Sequence, residues 1–295
     1  SEALRTPRRG RPPIRHKPMS IITLSHEAFG DGRAVAERVA AILGHRCISR
    51  EVLVKANERY GISEAKLSEV LEEKRHHWWE QWLESRWAYR IALQAALCEL
   101  AQEGNIVYHG RAGQEFFPGI RHVLNVFVDT PRESRIKHVM AWKGLAEEAA
   151  RKFLEELDTI RARRIKELFK IEWRDPTRYD LVLNTARTTV ETAARMIAEV
   201  SQREEYQPTP ESLQALKDLT ITTRVEAVLI ASSRLDISNL EVETRCGEVH
   251  VSGIIVAAGL EQTVADIIRK IPGVTRVKTY FVVTPSEQYL YGDGR

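Results

Sequence analysis

Cysteine is scarce in this chain. The 295 residues include three cysteines, Cys47, Cys98 and Cys246, which are scattered and form no C-x-x-C pair. Disulfide frameworks and zinc sites use paired cysteines at short spacing, so the sequence indicates neither, and we predict no metal-binding cluster. Free, unpaired cysteines are typical of proteins in a reducing compartment, and we therefore predict a cytoplasmic location.

Long apolar runs are also missing. A membrane-spanning helix needs about 18 to 20 apolar residues, whereas the best candidate, residues 91–100, is short and contains Gln94 and Glu99. We expect that segment to be a buried helix. Residues 1–18 carry six basic residues, one acidic residue and four prolines without an apolar stretch. They predict a disordered basic tail and not a signal peptide, and we do not expect nucleic acid as a partner.

A third absence lies in a segment that otherwise has the pattern of a phosphate-binding loop. An apolar strand at residues 21–24 is followed by a glycine-bearing loop and a predicted helix at residues 34–43. Such a loop directs backbone N–H groups and a helix N-terminus towards an anion. A Walker loop reads G-x-x-x-x-G-K-[ST], but here neither Lys nor Ser nor Thr follows Gly32, and Asp31 adds a negative charge.

Strands that alternate with helices over residues 19–203 predict a parallel sheet covered by helices on both faces. Residues 204–211 include two prolines among polar residues and predict a linker. Residues 212–284 predict a small α-β-β-α-β module with a tight hairpin at Cys246 and Gly247, and residues 285–295 a tail. The expected fold class is therefore α/β with an added small α+β domain.

Four segments in the first domain resemble the cytidylate kinase-like family of P-loop nucleoside monophosphate kinases. The first is the strand and loop at residues 21–33, and the second is an apolar strand that runs into Gly-Arg at residues 106–113. The third is a strand and helix with an E-x-R ending at residues 126–135, and the fourth is a late strand at residues 175–186. The resemblance implies a P-loop kinase fold. It also implies ATP and Mg²⁺ as cofactors and transfer of a phosphate to CMP or a similar acceptor.

The same resemblance implies roles for individual residues. The loop residues Gly30, Asp31, Gly32 and Arg33 would hold the donor phosphates, and Arg111 would clamp the acceptor phosphate, for which a planar guanidinium is suited. Arg161 and Arg164 resemble lid arginines, which with Arg33 makes three candidate catalytic cations. Asp180 is expected near the carboxyl end of the last strand, where ligands bind in open α/β sheets.

Several positions depart from the family pattern. Phe29 stands where a loop glycine is expected, Ala112 replaces the acid expected after Gly110 and Arg111, and Mg²⁺ has no hydroxyl ligand in the loop. Two functions therefore remain open. One is a nucleoside monophosphate kinase with an altered loop, and the other is a pseudoenzyme that senses a nucleotide or serves as a scaffold. The loop could also be a plain turn, and the lid arginines a solvated helix face.

The C-terminal module resembles a BON domain through Gly247, Val249, Val251, Gly253 and a later Pro272–Val277 segment. The resemblance implies a small non-catalytic module that binds a protein partner or a phospholipid surface. A third hypothesis is therefore a membrane-associated protein that uses the basic tail together with this domain. A tryptophan-rich helical segment, Trp78–Trp87, predicts either packing on the kinase core or a homodimer face, because tryptophan anchors both.

Overall fold

A computed structural model describes residues 20–49, 51–60, 79–232, 235 and 237–284 of the protein. The side chains of residues 53 and 79–86 are not described. The two predicted tails, the predicted helical segment before residue 79 and most of the proposed tryptophan dimer face therefore lie outside the described residues.

The first domain is built on a five-stranded parallel sheet. Its strand order is β2-β3-β1-β4-β5, with the strands β1 (Ile21–His26), β2 (Arg46–Ile48), β3 (Ile106–Gly110), β4 (Val123–Asp129) and β5 (Leu181–Asn184). Helices lie between β1 and β2, between β2 and β3, and between β4 and β5, whereas β3 and β4 are connected by residues 111–122 with a 3₁₀ turn at Gly113–Phe116. Each connection returns the chain to the same end of the sheet, as parallel pairing requires. The predicted α/β class is thus confirmed.

Six helices accompany this sheet in the described residues. They are α1 (Gly32–Leu43), α2 (Glu51–Tyr60), α3 (Trp79–Gln102), α4 (Arg132–Lys143), α5 (Glu147–Phe169) and α6 (Val190–Ser201). Side chains alternate along β1, so that Ile21 joins the core that includes α3 while Ile22 joins the core that includes α1 and α6. Both faces of the sheet are therefore buried.

The connection to the second domain is short. Residues 204–211, predicted as a linker, contain a single 3₁₀ turn at Glu204–Tyr206 and the first residues of helix α7 (Pro210–Ala231). Thr209 caps this helix, because its side chain accepts the Ser212 N–H while the Ser212 hydroxyl accepts the Thr209 N–H. This capping box begins the helix at Pro210, within the segment that was predicted as a linker.

Helix α7 belongs to two hydrophobic cores. Leu216 and Ala227 are buried in the cluster that contains α3, whereas Ile221, Val225 and Leu229 are buried with the small C-terminal sheet. Because apolar residues occupy two faces of one helix, α7 joins the C-terminal module to the kinase-like domain through packed side chains.

The second domain has the predicted α-β-β-α-β order, α7, β6 (Ile237–Arg245), β7 (Glu248–Ile255), α8 (Gly259–Arg269) and β8 (Arg276–Val283). The β6–β7 hairpin turns at Cys246 and Gly247, both at positive φ, as a type I′ turn requires. The Asp218 carboxylate accepts both turn N–H groups, at 2.8 and 2.9 Å. Among the described residues, no helix has the length and apolarity to span a membrane.

Candidate functional site

A cleft of about 660 Å³ opens at the carboxyl ends of β1 and β3. Ligands bind at this edge in open α/β sheets, and the volume is in the range of small-molecule sites. Four of the residues predicted from sequence line it together: Gly30, Arg33, Arg111 and Arg161. The structure therefore gathers the loop and two of the predicted arginines around one cavity.

Phe29 occupies the loop position at which a glycine was expected. Its φ of 58° is in the left-handed region, which explains why that position favours glycine. The ring packs against Trp142 and Phe153, with centroid distances of 5.4 and 5.9 Å, and the Phe29 carbonyl lies 2.7 Å from His138 Nδ1. Packing on the α4–α5 hairpin thus offsets the backbone strain, which costs about 1–3 kcal/mol.

Both loop glycines make close contacts with the protein's own side chains. A Cβ at Gly30 would lie 2.7 Å from Thr130 Oγ1, and a Cβ at Gly32 would lie 2.2 Å from the Cβ of His26. The Asp31 N–H donates to Thr130 Oγ1 at 3.0 Å. This backbone donor is therefore already engaged by a side chain.

Arg33 lies at the rim of the cleft. Its Nε donates to Glu37 Oε1 at 2.8 Å, and its side chain is 74% exposed. Exposed ion pairs within one helix are weak, so Glu37 does not prevent Arg33 from exchanging this partner for a phosphate. The structure places Arg33 within reach of the cleft but not beneath the loop.

Two histidines form an uncharged part of the wall. The rings of His26 and His109 are 5.8 Å apart. Burial, together with the positive charges of nearby Arg111 and Arg161, lowers the pKa of His26 to about 4. Burial also lowers the pKa of His109. Both imidazoles are therefore neutral at pH 7 and can offer hydrogen bonds while the arginines supply the charge.

A buried ion-pair network under the loop was not predicted from the sequence. Glu27 is buried, accepts the Thr130 N–H at 3.0 Å, and lies 3.2 Å from Arg174 and 3.9 Å from Arg135. Arg135 donates to the Ala28 carbonyl at 2.8 Å. Burial raises the pKa of Glu27 despite these partners.

Arg135 also connects the loop to α5. Its two terminal nitrogens donate to the Asp158 carboxylate at 2.9 and 2.6 Å, a bidentate geometry that is strong and specific in direction. The E-x-R motif signalled Arg135, but the pairing with Asp158 and Glu27 could not be found from spacing, because the partners are distant along the chain. The network holds the loop in one position.

Four predicted residues are not in the cleft lining, namely Asp31, Gly32, Arg164 and Asp180. Arg164 is on α5 one turn beyond Arg161 but does not line the cavity. Asp180 precedes β5 at its amino end, where the carboxylate accepts the Asn125 N–H at 2.7 Å. The expectation that Asp180 lies near the carboxyl end of the strand was therefore wrong. Asp180 lies at the amino ends of the strands, whereas the loop lies at their carboxyl ends.

The loop hydroxyl and the acid that the family resemblance implies are both replaced by alanine. Ala34 follows Arg33 where a hydroxyl ligand is expected, and Ala112, fully buried at φ 52°, stands in the place of the expected acid. Within the described residues, no group of three or more His, Cys, Asp or Glu side chains could hold a metal ion. Arg33, Arg111 and Arg161 in the lining fit an anion such as a phosphate chain. Glu37 and Glu51 line the same cleft, and Glu37 is paired with Arg33.

Comparison with known families decides where the first domain belongs. Residues 21–187 match the model of the cytidylate kinase-like family. The chain belongs to this family. Residues 217–285 match the BON domain, so a cytidylate kinase-like domain and a BON domain share helix α7 as their contact.

The chain is similar to two curated cytidylate kinases and, more distantly, to a solved structure. The chain is 30% identical over 95 residues to a cytidylate kinase of Methanocaldococcus jannaschii and 31% identical over 97 residues to one of Methanopyrus kandleri. These matches cover 32% and 30% of this chain, and 53% and 50%, about half, of the relatives. A solved structure of an uncharacterized protein from Eubacterium ventriosum has a TM-score of 0.48 at 19% identity, over 62% of this chain and 99% of that one.

Proposed function

We propose that this cytidylate kinase-like domain binds a nucleoside phosphate without metal and does not transfer the phosphate. The observation that carries the proposal is the composition of the cleft. Arg33, Arg111 and Arg161 line it together with Glu37 and Glu51, and the described residues include no group of three or more side chains that could hold a metal ion. Phosphoryl transfer depends on positioning and on neutralising charge with a metal and a loop lysine. Binding needs only the arginines.

The loop geometry supports the same proposal. In this chain the Asp31 N–H is engaged by Thr130, and Arg33 is on the exposed surface of α1 with Glu37. Loss of one preorganised donor to a transition state costs about a hundredfold to a thousandfold in rate. With the lysine, the hydroxyl ligand and the acid all replaced, we expect turnover below detection.

A catalytic nucleoside monophosphate kinase is the second candidate. It is favoured by the position of Arg111 and Arg161 in one cleft beside the loop. It is also favoured by the relatives, which are named as cytidylate kinases, so that CMP is the acceptor to test. ATP with Mg²⁺ would then be required. The two candidates differ in their response to metal, because only the kinase needs it.

Calorimetry tests the proposal directly. The full chain would be titrated with ATP and with CMP, each in EDTA and in Mg²⁺, and the same mixtures would be assayed for ADP. We expect binding that is unchanged by EDTA and is lost in the double variant R111A/R161A. The matched control is R163A, an exposed arginine of α5. CMP-dependent ADP formation in Mg²⁺ would favour the kinase, and no binding of either nucleotide would overturn both.

For the BON domain we propose a protein partner or a phospholipid surface, in a cytoplasmic setting. The exposed apolar side chains of β8, Tyr280, Val282 and Val283, support a contact role for this sheet. Flotation of the full chain with anionic and with neutral liposomes at low salt tests the lipid alternative. Failure to float with either leaves the protein partner. The proposed homodimer is tested by the molar mass in light scattering.

A further inference from the structure

Trp142 is an exposed tryptophan at the end of α4. It is 68% exposed, the highest value among the large apolar side chains of the described residues. A tryptophan in water leaves a large apolar surface uncovered, and such residues concentrate at sites that bind something. Trp142 belongs to neither of the two cores on the sheet faces, so packing of the fold does not account for its exposed surface.

The neighbours of Trp142 form an aromatic surface with one cation. Phe29 lies 5.4 Å from it and Phe153 lies 5.9 Å from Phe29, both measured between ring centroids. The Lys143 ammonium is 5.1 Å from the Trp142 centroid and 4.2 Å from that of Phe153. The α4–α5 turn produces this arrangement, because Gly144 at φ 67° reverses the chain and brings the two helices together.

This aromatic surface is continuous with the anion cleft. Phe29 lines the cleft and also contacts Trp142. Helix α5, which carries Phe153, also supplies Arg161 to the same cleft. A ligand with a phosphate among the arginines would therefore have Phe29 and then Trp142 beside it.

We propose that Trp142 is the stacking platform for the base of the nucleotide that occupies the cleft. A base has a π face that stacks on indole, and the Lys143 ammonium, 5.1 Å from the Trp142 centroid, adds a positive charge beside this platform. This inference rests on the proposed function, because it requires that the cleft holds a nucleoside phosphate. It adds that the site recognises the nucleoside part and not the phosphate chain alone.

The test compares ATP with tripolyphosphate, which has the phosphate chain without the nucleoside. Both would be titrated in EDTA against the full chain and against W142A, W142F and W87A. W87A removes another exposed tryptophan and is the matched control. We expect W142A to weaken ATP about fivefold to a hundredfold, as the loss of one stacked base predicts, and to leave tripolyphosphate unchanged. W142F should retain most of the affinity, and W87A all of it.

The outcomes separate this inference from the proposed function. Equal losses on ATP and tripolyphosphate in W142A would mean that Trp142 only shapes the cleft, which overturns the base site. Unchanged ATP affinity in W142A, or wild-type affinities that do not differ between the two ligands, also overturns it while the anion cleft stands. If the wild-type chain binds neither ligand, the proposed function fails and the base site fails with it. Thermal unfolding of each variant checks that the fold is retained.

Discussion

The buried ion pair between the two domains predicts a large and specific loss of stability. Arg224 on α7 donates to Glu99 on α3 at 2.8 Å, and Tyr60 donates to the same carboxylate at 3.0 Å. The Glu99 side chain is 4% exposed and that of Arg224 is 18% exposed. Removing one partner of a buried pair costs about 3–5 kcal/mol. Lys55 and Arg59 lie 3.8 and 3.4 Å from Glu99, so we expect R224M to cost about 2–3 kcal/mol.

Urea unfolding, followed by circular dichroism at pH 7, measures this cost. Because α7 is buried in both cores, the wild-type domains should unfold in one transition. The double variant E99Q/R224M should recover part of the loss, since no charge is then left buried without a partner. A loss below about 0.5 kcal/mol in R224M, or two separate wild-type transitions, would refute the claim that the pair joins the domains.

The same pair has a pH dependence with a definite sign. Burial by itself raises the pKa of Glu99, but the charge and hydrogen bond of Arg224, the hydrogen bond of Tyr60 and the charge of Arg59 together leave this pKa below the usual value. A lowered folded pKa contributes stability that is present above the unfolded pKa and is lost as pH falls through the folded pKa. As pH falls through the folded pKa of Glu99, the free energy of unfolding should therefore decrease less steeply in E99Q than in the wild type.

Three further predictions concern the loop and α7. F29G should be more stable than F29A by about 1 kcal/mol, because φ at this residue is 58° and glycine adopts such a φ more readily than alanine. Chemical unfolding measures the difference, and an F29A variant as stable as F29G or more stable would contradict the left-handed conformation. G32A should disrupt the loop, since its Cβ would lie 2.2 Å from the His26 Cβ, whereas the control G259A meets nothing within 4 Å; equal unfolding midpoints would count against the geometry. Burial raises the pKa of Glu226 to about 7, so its stability contribution is present below the unfolded pKa and is lost as pH rises through 7. E226Q should then stabilise the protein at pH 8 by at most about 3 kcal/mol and have little effect near pH 4, and equal effects at both pH values would contradict the assignment.

Local patterns were sufficient to predict most elements of the fold. Apolar runs predicted the central strands, and turn chemistry predicted the hairpin at Cys246 and Gly247. The α-β-β-α-β order followed from alternation of side chains in β6 and β7. In each case the signal lies within a few adjacent residues, so no long-range information was needed.

Features that depend on distant residues were not predicted. Glu27, Arg135, Asp158 and Arg174 form one network although they are far apart in the chain, and no spacing rule pairs them. The position of Asp180 at the amino end of β5 depends on where the strand begins, which periodicity does not define closely. Helix α7 was predicted, but its burial in both cores was not, because apolar residues on two faces do not indicate which part of the chain packs against each face.

Phe29 shows how tertiary structure changes the meaning of a residue. From the sequence it is an obstacle in a phosphate loop. In the fold its ring is held by the α4–α5 hairpin, so that it anchors the loop and forms part of the cleft wall. The sequence shows the loss of the glycine but not the contact that compensates for it.

The most direct test of metal-independent binding without transfer uses the full chain at a concentration above that of ATP. ATP and CMP would be added first in EDTA and then with Mg²⁺ in excess, with heat of binding and ADP measured on the same sample. The account predicts ATP binding in EDTA and no ADP after Mg²⁺ is added. ADP that requires both CMP and Mg²⁺, and that disappears in R111A, would contradict it and identify an active kinase.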